Sequence, residues 1–381
     1  EFKSGDAIFD KMLSAISDVD DWKRIRSIMS PTFSSGKMRR MQPLIDECVQ
    51  TMTHNLNKLC KSGETEINVK DVFGAFSMDV VITVAFGTKV DSLIDENNPI
   101  IVNAKKLFNK SVDVKTVLSF ILFITCRPLH RLLKIPFVDP EFMDFFKSLL
   151  KKIVDERKKN KGKGKRYDFL QLMLDAMDNQ NLEWESEEMN NKVADITISM
   201  DEFIAQCFIF FLAGYDTIAT TLSMATYCLA MNPEAQDKLY EEAKNAFSGQ
   251  NHIDYDNIHT FKYLDAVVSE TLRLYPPASS VERQASEDYL LGDAGIKVPK
   301  NTVIHIATYS LHRDPQYFND PEKFMPERFL AENRTHDPFA YLPFGAGPRN
   351  CVGMRLALME SKLALMHAVH KFKFTLSSNT K

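Results

Sequence analysis

Glycine and proline are scarce in this chain, 14 and 16 among 381 residues, and they lie mostly at element ends. That scarcity disfavours a turn-dense architecture and predicts helix-rich packing. Six cysteines, at positions 48, 60, 126, 207, 228 and 351, include no C-x-x-C pair and no zinc spacing. So few scattered thiols in a long chain fit a reducing compartment. Positive charge is not in excess: 47 Lys and Arg face 51 Asp and Glu, a net charge of −4. General nucleic-acid binding is therefore not expected. A Gly-rich dinucleotide fingerprint is missing, so the chain is not expected to bind a dinucleotide itself. No signal peptide, internal repeat or linker is visible, and no apolar run reads as long enough to cross a bilayer.

What is present is a large apolar content, 44% of residues, ample for a sizeable core. Most of the chain reads as helix. Residues 298–306 read as a strand after a turn, with a short strand expected near Tyr289-Leu-Leu. Length alone allows two or three domains, but without a linker one domain over 1–381 is expected. Residues 158–166 form a basic, glycine-containing run, read as a solvated loop because aromatic interleaving is missing. Residues 183–188 form an acidic loop before a long apolar helix starting near Ser199. Residues 119–127 are apolar but too short to span a membrane, and Pro128, Leu129, Leu132, Leu133 and Pro136-Phe137 follow. Two readings stay open for them: ordinary core, or a surface segment dipping into a membrane interface.

The most informative stretch is Phe344-Gly-Ala-Gly-Pro-Arg-Asn-Cys351-Val-Gly353, followed by the helical run Met354-Arg-Leu-Ala-Leu-Met. Cys351 sits where a Gly-rich loop enters a helix N-terminus. There, unpaired backbone N–H groups and the helix dipole favour a thiolate. Gly345, Gly347 and Gly353 carry no side chain, so a large flat group can approach the backbone. Arg349 adds a cation two residues from the sulfur. A lone cysteine is ordinarily a buried structural residue; a thiolate ligand to haem iron would need every feature found here. The segment resembles the Phe-x-x-Gly-x-Arg-x-Cys-x-Gly signature of the cytochrome P-450 (haem-thiolate) monooxygenases at every fixed position. The chain is most similar to the microsomal type near the drug-metabolising 3A subfamily and related invertebrate enzymes.

The resemblance covers nearly all of the chain, and three further motifs carry it. Phe208-Ile-Phe-Phe-Leu-Ala213-Gly214-Tyr-Asp216-Thr217 lies in a helix apolar nearly all round, expected to be buried. Thr217, Ala213, Gly214 and Phe210 share one face, and the small residues are expected to leave room above it. Thr217 can hold a water or dioxygen and Asp216 can relay protons; both match the family's Ala/Gly-Gly-x-Asp/Glu-Thr motif. Ile218 departs from it, since a second hydroxyl commonly follows. Glu270-Thr-Leu-Arg273 places an acid and a base on one helix face. The resemblance makes this the Glu-x-x-Arg pair locked by Arg328 of Pro326-Glu-Arg-Phe, a structural role. Trp22 and Arg26 lie one helical turn apart and can reach one anion. By resemblance they bind haem propionate, with Arg349 and Arg283 at further propionate positions. Phe344 would pack beside the sulfur and limit solvent. His305 and His312 lack a local metal partner and read as structural.

The fold class implied is mainly α: a large helical cytochrome P-450 fold with a small β component. The chain opens at Glu1 and stops soon after Phe374, so N-terminal and extreme C-terminal parts of that fold are expected to be lacking. The function implied is insertion of one atom of O2 into a lipophilic substrate, a steroid, fatty acid or xenobiotic. Implied cofactors are haem b with Cys351 as axial ligand, O2 as co-substrate, and NADPH used indirectly. Implied partners are an NADPH–cytochrome P-450 reductase, cytochrome b5 and a membrane surface, placing the protein on the cytosolic face of the endoplasmic reticulum. Phe208, Ile209, Phe210, Phe211, Ala213, Ala278, Ser279 and Val281 are the candidate substrate-pocket residues. Lys23, Arg24, Lys37, Arg39 and Arg40, with Arg355 and Lys362, read either as a docking face for an acidic redox partner or as a solvated surface. Three rivals stay open: a haem-thiolate peroxide isomerase or dehydratase, against which Asp216 and Thr217 count; a non-enzymatic haem-binding or redox-sensing protein; and a fragment that does not fold without the parts expected to be lacking.

Overall fold

The computed structural model describes residues 6, 8–61, 63–95, 97–108, 122, 138–159, 168–177, 198–249 and 252–380. The acidic loop at 183–188 lies outside the described residues, as do 160–166 of the basic run and all of 119–137 except residue 122. In chain order the α-helices described are α1 (Val19–Met29), α2 (Ser35–Leu59), α3 (Val69–Phe86), α4 (Pro99–Phe108), α5 (Pro140–Lys159), α6 (Phe169–Met177), α7 (Met200–Met231), α8 (Pro233–Ala246), α9 (Lys262–Leu274), α10 (Thr308–Leu311) and α11 (Met354–Lys371). The strands are β1 (Val281–Gln284), β2 (Tyr289–Leu291), β3 (Ile296–Val298) and β4 (Val303–Ile306). The architecture is thus mainly α with a small β component. The chain divides into two compact units, Glu1–Leu44 with Met78–Asp216, and Ile45–Ser77 with Thr217–Lys381.

In the first unit, helix starts are set by side-chain caps. The Asp18 carboxylate accepts from the Asp20 and Asp21 N–H groups at 3.0 and 2.9 Å, starting α1. Ser199-Met-Asp-Glu202 forms a capping box at the start of α7: Glu202 Oε2 accepts from Ser199 N–H at 2.8 Å, and Ser199 Oγ accepts from Glu202 N–H at 3.3 Å. The core is aromatic. Phe142, Phe146, Phe208 and Phe211 meet with ring centroids between 5.6 and 6.2 Å apart. Arg157 closes this unit by pairing with Asp168 through two bonds, at 2.7 and 2.9 Å, and donating to Phe86 O at 2.9 Å.

By length and composition α7 is apolar enough to cross a membrane, contrary to the reading of the sequence. It behaves as a core helix over its first turns. Phe203, Ala205, Gln206, Cys207 and Phe208 are buried, and Gln206 donates to Lys11 O at 2.6 Å and accepts from Leu13 N–H at 2.9 Å.

In the second unit, α9 is buried along nearly its whole length, and α8 and α11 pack together. Gln236 clamps the chain after α11, accepting from Phe374 N–H at 2.7 Å and donating to Phe374 O at 2.9 Å. β1 pairs with β4 and β2 with β3, both antiparallel. The expected strand over 298–306 is corrected: Asn301 adopts φ +69°, so a turn separates β3 from β4. Asn301 N–H donates to Ala285 O and Thr302 N–H to Pro299 O, at 2.8 and 3.1 Å. β1 was not expected, because Val-Glu-Arg-Gln is too short and polar to show a strand period.

Candidate functional site

The cysteine loop belongs to the second unit. Gly345 and Gly347 hold φ of +68° and +76°, a region that side-chain-bearing residues rarely adopt. These turns fold the loop back, so Cys351 N–H donates to Phe344 O at 2.9 Å and Asn350 N–H to Gly347 O at 3.0 Å. The result is an exposed Cys351, two residues before the α11 cap. Gly353 caps α11 with no side-chain hydrogen bond, which leaves the positive end of the helix dipole beside the loop. Phe344 is half-buried at the loop's start. The other thiols differ: burial pushes the Cys228 thiol up to about 12 and Cys207 higher still, so neither forms a thiolate near neutral pH.

Two guanidiniums converge on this loop. Arg283 on β1 donates to Ala346 O at 3.2 Å, and its Nη2 lies 3.7 Å from where a Gly345 Cβ would sit. The Val281 side chain is 3.9 Å from the same point. Burial, and then the Arg283 charge, push the Arg349 guanidinium below its ordinary value. Two cations brought within reach of one another beside an exposed thiol suit a ligand that carries two negative charges. Arg283 braces the loop directly.

The loop is tied to a buried ionic network. Glu270 and Arg273 on α9 are both fully buried, bonded Oε2 to Nε at 2.7 Å and Oε1 to Nη2 at 2.8 Å. Arg328 Nε donates to Glu270 Oε1 at 3.0 Å, and Met325 N–H to the same oxygen at 2.9 Å. Arg273 Nη1 donates to His312 O at 2.8 Å, and Leu342 N–H donates to His312 Nε2 at 2.8 Å. Leu342 O in turn accepts from Gly345 N–H at 3.1 Å, so a continuous chain of bonds runs from Glu270 to the cysteine loop. Sequence reasoning missed this role of His312, because its partners lie 30 and 39 residues away.

Since Nε2 of His312 accepts, the proton sits on Nδ1, which faces Arg273 O at 3.3 Å. Burial, with lesser repulsion from Arg273 and Arg313, pushes His312 down from 6.5 to about 4. His367 is pushed to about 4 by burial and then by Lys371, His370 and His252. Both folded values lie below 6.5, so the unfolded chain takes up protons first on acidification. Their contribution is full above 6.5 and declines as pH falls toward 4. Melting temperature should therefore fall between neutral pH and about pH 5. His312→Gln, whose amide oxygen can still accept from Leu342, should flatten that slope; equal slopes would exonerate His312.

On α7 the structure corrects three expectations. Asp216 and Thr217 are exposed rather than buried, as is Ala213 beside them. Gly214 does not leave room for a ligand: a Cβ there would lie 2.6 Å from Val81 Cγ2, so it is the glycine of a close approach to α3. Phe208 and Phe211, at 1% and 2% exposure, are packed in the aromatic core of the first unit, and Phe210 stacks on Phe169 with centroids 4.4 Å apart. Of the other pocket candidates, Ala278 and Ser279 are exposed, Ile209 and Val281 half-buried. Trp22 is buried on α1 and Arg26, one turn on, is half-buried.

The basic face is smaller than expected. Arg24 bonds Asp21 at 2.9 Å and also pairs with Glu202, and Lys362 is 4% exposed and paired with Asp265 at 2.7 Å. Arg39, Arg40 and Arg355 remain exposed. His305 pairs with Glu282 across the β1–β4 ladder at 3.3 Å.

An exposed cysteine at a helix start, a loop turned by two left-handed glycines, and paired cations form the donor set of a haem-thiolate protein. Among the described residues, no atom lies within 4 Å of a Cβ built on Gly347, which leaves the backbone there open to a close approach. Comparison with known proteins agrees. The cytochrome P-450 family model matches residues 2–381. Cytochrome P-450 3A6 of Oryctolagus cuniculus is 39% identical over 373 residues, 98% of this chain and 72% of the rabbit protein. Cytochrome P-450 3A9 of Rattus norvegicus is 40% identical over 367 residues, 96% of this chain and 70% of the rat protein. Cytochrome P-450 3A12 of Canis lupus familiaris is 40% identical over 367 residues, with the same coverage. The chain belongs to the cytochrome P-450 family. It is an oxidoreductase, a haem monooxygenase whose iron takes a cysteine thiolate.

Proposed function

We propose that residues 1–381 act as one catalytic domain that binds haem b through Cys351 and hydroxylates steroids, fatty acids or xenobiotics. The observation that carries this reading is the exposed Cys351 in a glycine-turned loop braced by Arg283, while Cys207 and Cys228 are buried and held protonated. Bound haem supplies reductive activation of O2 and transfer of one oxygen atom to the substrate. The chain's residues supply the rest. Cys351 would hold the iron as a thiolate, Phe344 would limit water at the sulfur, and Gly353 leaves the helix N-terminus free to stabilise the anion. Arg283 and Arg349 would hold propionate beside the cysteine loop; for Trp22 and Arg26 that role comes from the family motif alone. Thr217 would hold a water by hydrogen bond, and Asp216 would relay protons to it from solvent. Ile209, Ala213, Ala278, Ser279 and Val281 offer apolar or small surfaces to a lipophilic substrate.

Electrons come from an NADPH–cytochrome P-450 reductase, with cytochrome b5 as an alternative donor, on the cytosolic face of the endoplasmic reticulum. Arg39 and Arg40 are exposed, and their charge would favour an acidic partner. The reaction balances as RH + O2 + NADPH + H+ giving ROH + H2O + NADP+. Reconstitution with reductase, NADPH and a panel of steroids and fatty acids under isotopically labelled dioxygen tests it. One labelled oxygen atom in the product is expected. Oxygen drawn from water, or turnover without NADPH, would instead favour the peroxide isomerase reading.

A further inference from the structure

Thr221 was not singled out by the sequence motifs, yet it stands one turn beyond Thr217 on the same face of α7, four residues away. Its hydroxyl donates to the Thr217 carbonyl at 2.8 Å, and the residue is only 5% exposed. In a regular helix that carbonyl accepts from the Thr221 N–H. The hydroxyl adds a second donor to the same oxygen, a contact that bends helices and tilts the peptide plane. Ser223 repeats the contact to Ala219 O at 2.7 Å, and Thr226 to Leu222 O and Ser223 O at 3.0 Å each. The carbonyls downstream of Thr217 are thus loaded with hydroxyl donors. Ile218, where a second hydroxyl was anticipated, is 3% exposed and lies about 100° around the helix from Thr217. It can contribute no polar contact.

We infer that Thr221 is a positioning residue for Thr217. Resting on the water-holding role proposed for Thr217, it fixes the backbone that carries the Thr217 side chain. It takes up, one turn further on, the polar support that Ile218 cannot give. Without it, Thr217 samples orientations from which protons are mistimed. Electrons then leave by the competing reaction, NADPH + O2 + H+ giving NADP+ + H2O2.

The test compares Thr221→Val, which keeps the shape and removes the donor, with Thr221→Ser, which keeps the donor. Product, peroxide and NADPH consumption are measured in the holoenzyme with reductase and a turned-over lipophilic substrate. Thr221→Val is expected to raise the peroxide-to-product ratio about five-fold, the scale of one lost orienting hydrogen bond, at unchanged haem content. Thr221→Ser is expected to restore the wild-type ratio. A merely structural role would lower melting temperature or haem content and leave the ratio unmoved, which would overturn the inference. Thr217→Ala serves as the parallel variant. If it uncouples while Thr221→Val does not, the inference fails alone; if Thr217→Ala is itself fully coupled, the reading of Thr217 falls with it.

Discussion

Glu270→Gln should abolish accumulation of folded, haem-containing protein. The carboxylate accepts four bonds: two from Arg273, one from Arg328 Nε and one from Met325 N–H. An amide turns one oxygen into an NH2 donor that meets guanidinium donors, and it removes the negative charge between two cations. Arg273 is fully buried and the Arg328 side chain is 10% exposed, so water cannot replace what is lost. Breaking a buried pair from one side costs about 3–5 kcal/mol, against a total stability of about 5–15 kcal/mol. The damage should also travel, because Arg273 holds His312 and His312 holds Leu342 at the start of the cysteine loop. Arg328→Lys keeps the charge and loses the Nε geometry, along with bonds to Asn319 O, Asp320 O and Lys323 O. It should be milder. Thermal unfolding and haem absorbance of both variants decide the matter: a Glu270→Gln protein that melts with the wild type would show the network to be dispensable.

Legibility in the sequence followed how local each contact is. The cysteine loop could be read because its glycines, arginine and cysteine fall within ten residues and each has a reason in chemistry. Glu270 and Arg273 could be read because i, i+3 spacing puts them on one helix face. What joins these two regions could not. His312 links them through partners far along the chain, and a histidine in a turn gives no sign of what its ring will meet. The α7 motif was legible as a motif but not in its surroundings. A helix apolar nearly all round does not say which phenylalanines meet core and which meet open space. Phe208 and Phe211 went to Phe142 and Phe146, and Gly214 to Val81, while the Asp216 and Thr217 end stayed exposed. The break at Asn301 was illegible for a different reason: its left-handed backbone answers to a pairing with Ala285, across the turn.

Cys351→Ser should leave a protein that folds but no longer carries thiolate chemistry. Folding should survive, because the loop is closed by backbone bonds from Cys351 N–H to Phe344 O and from Asn350 N–H to Gly347 O, and by Arg283 on Ala346 O. None of these uses the sulfur, and the buried network from Glu270 ends at Leu342 and Gly345. The ligand changes more than the shape does. A serine hydroxyl is far less acidic than a thiol, and it gives far less electron density to iron. The wild type, reduced and exposed to carbon monoxide, is expected to show the strongly red-shifted Soret band of thiolate-ligated haem. Cys351→Ser should lose that band, with monooxygenase turnover falling below detection while near-UV circular dichroism stays native-like. Cys228→Ser and Cys207→Ser, at buried thiols held protonated, should keep both band and turnover. If Cys351→Ser retained the red-shifted band, the ligand would have to be another thiol, and Cys60, half-buried at the end of α2, would be the next to replace.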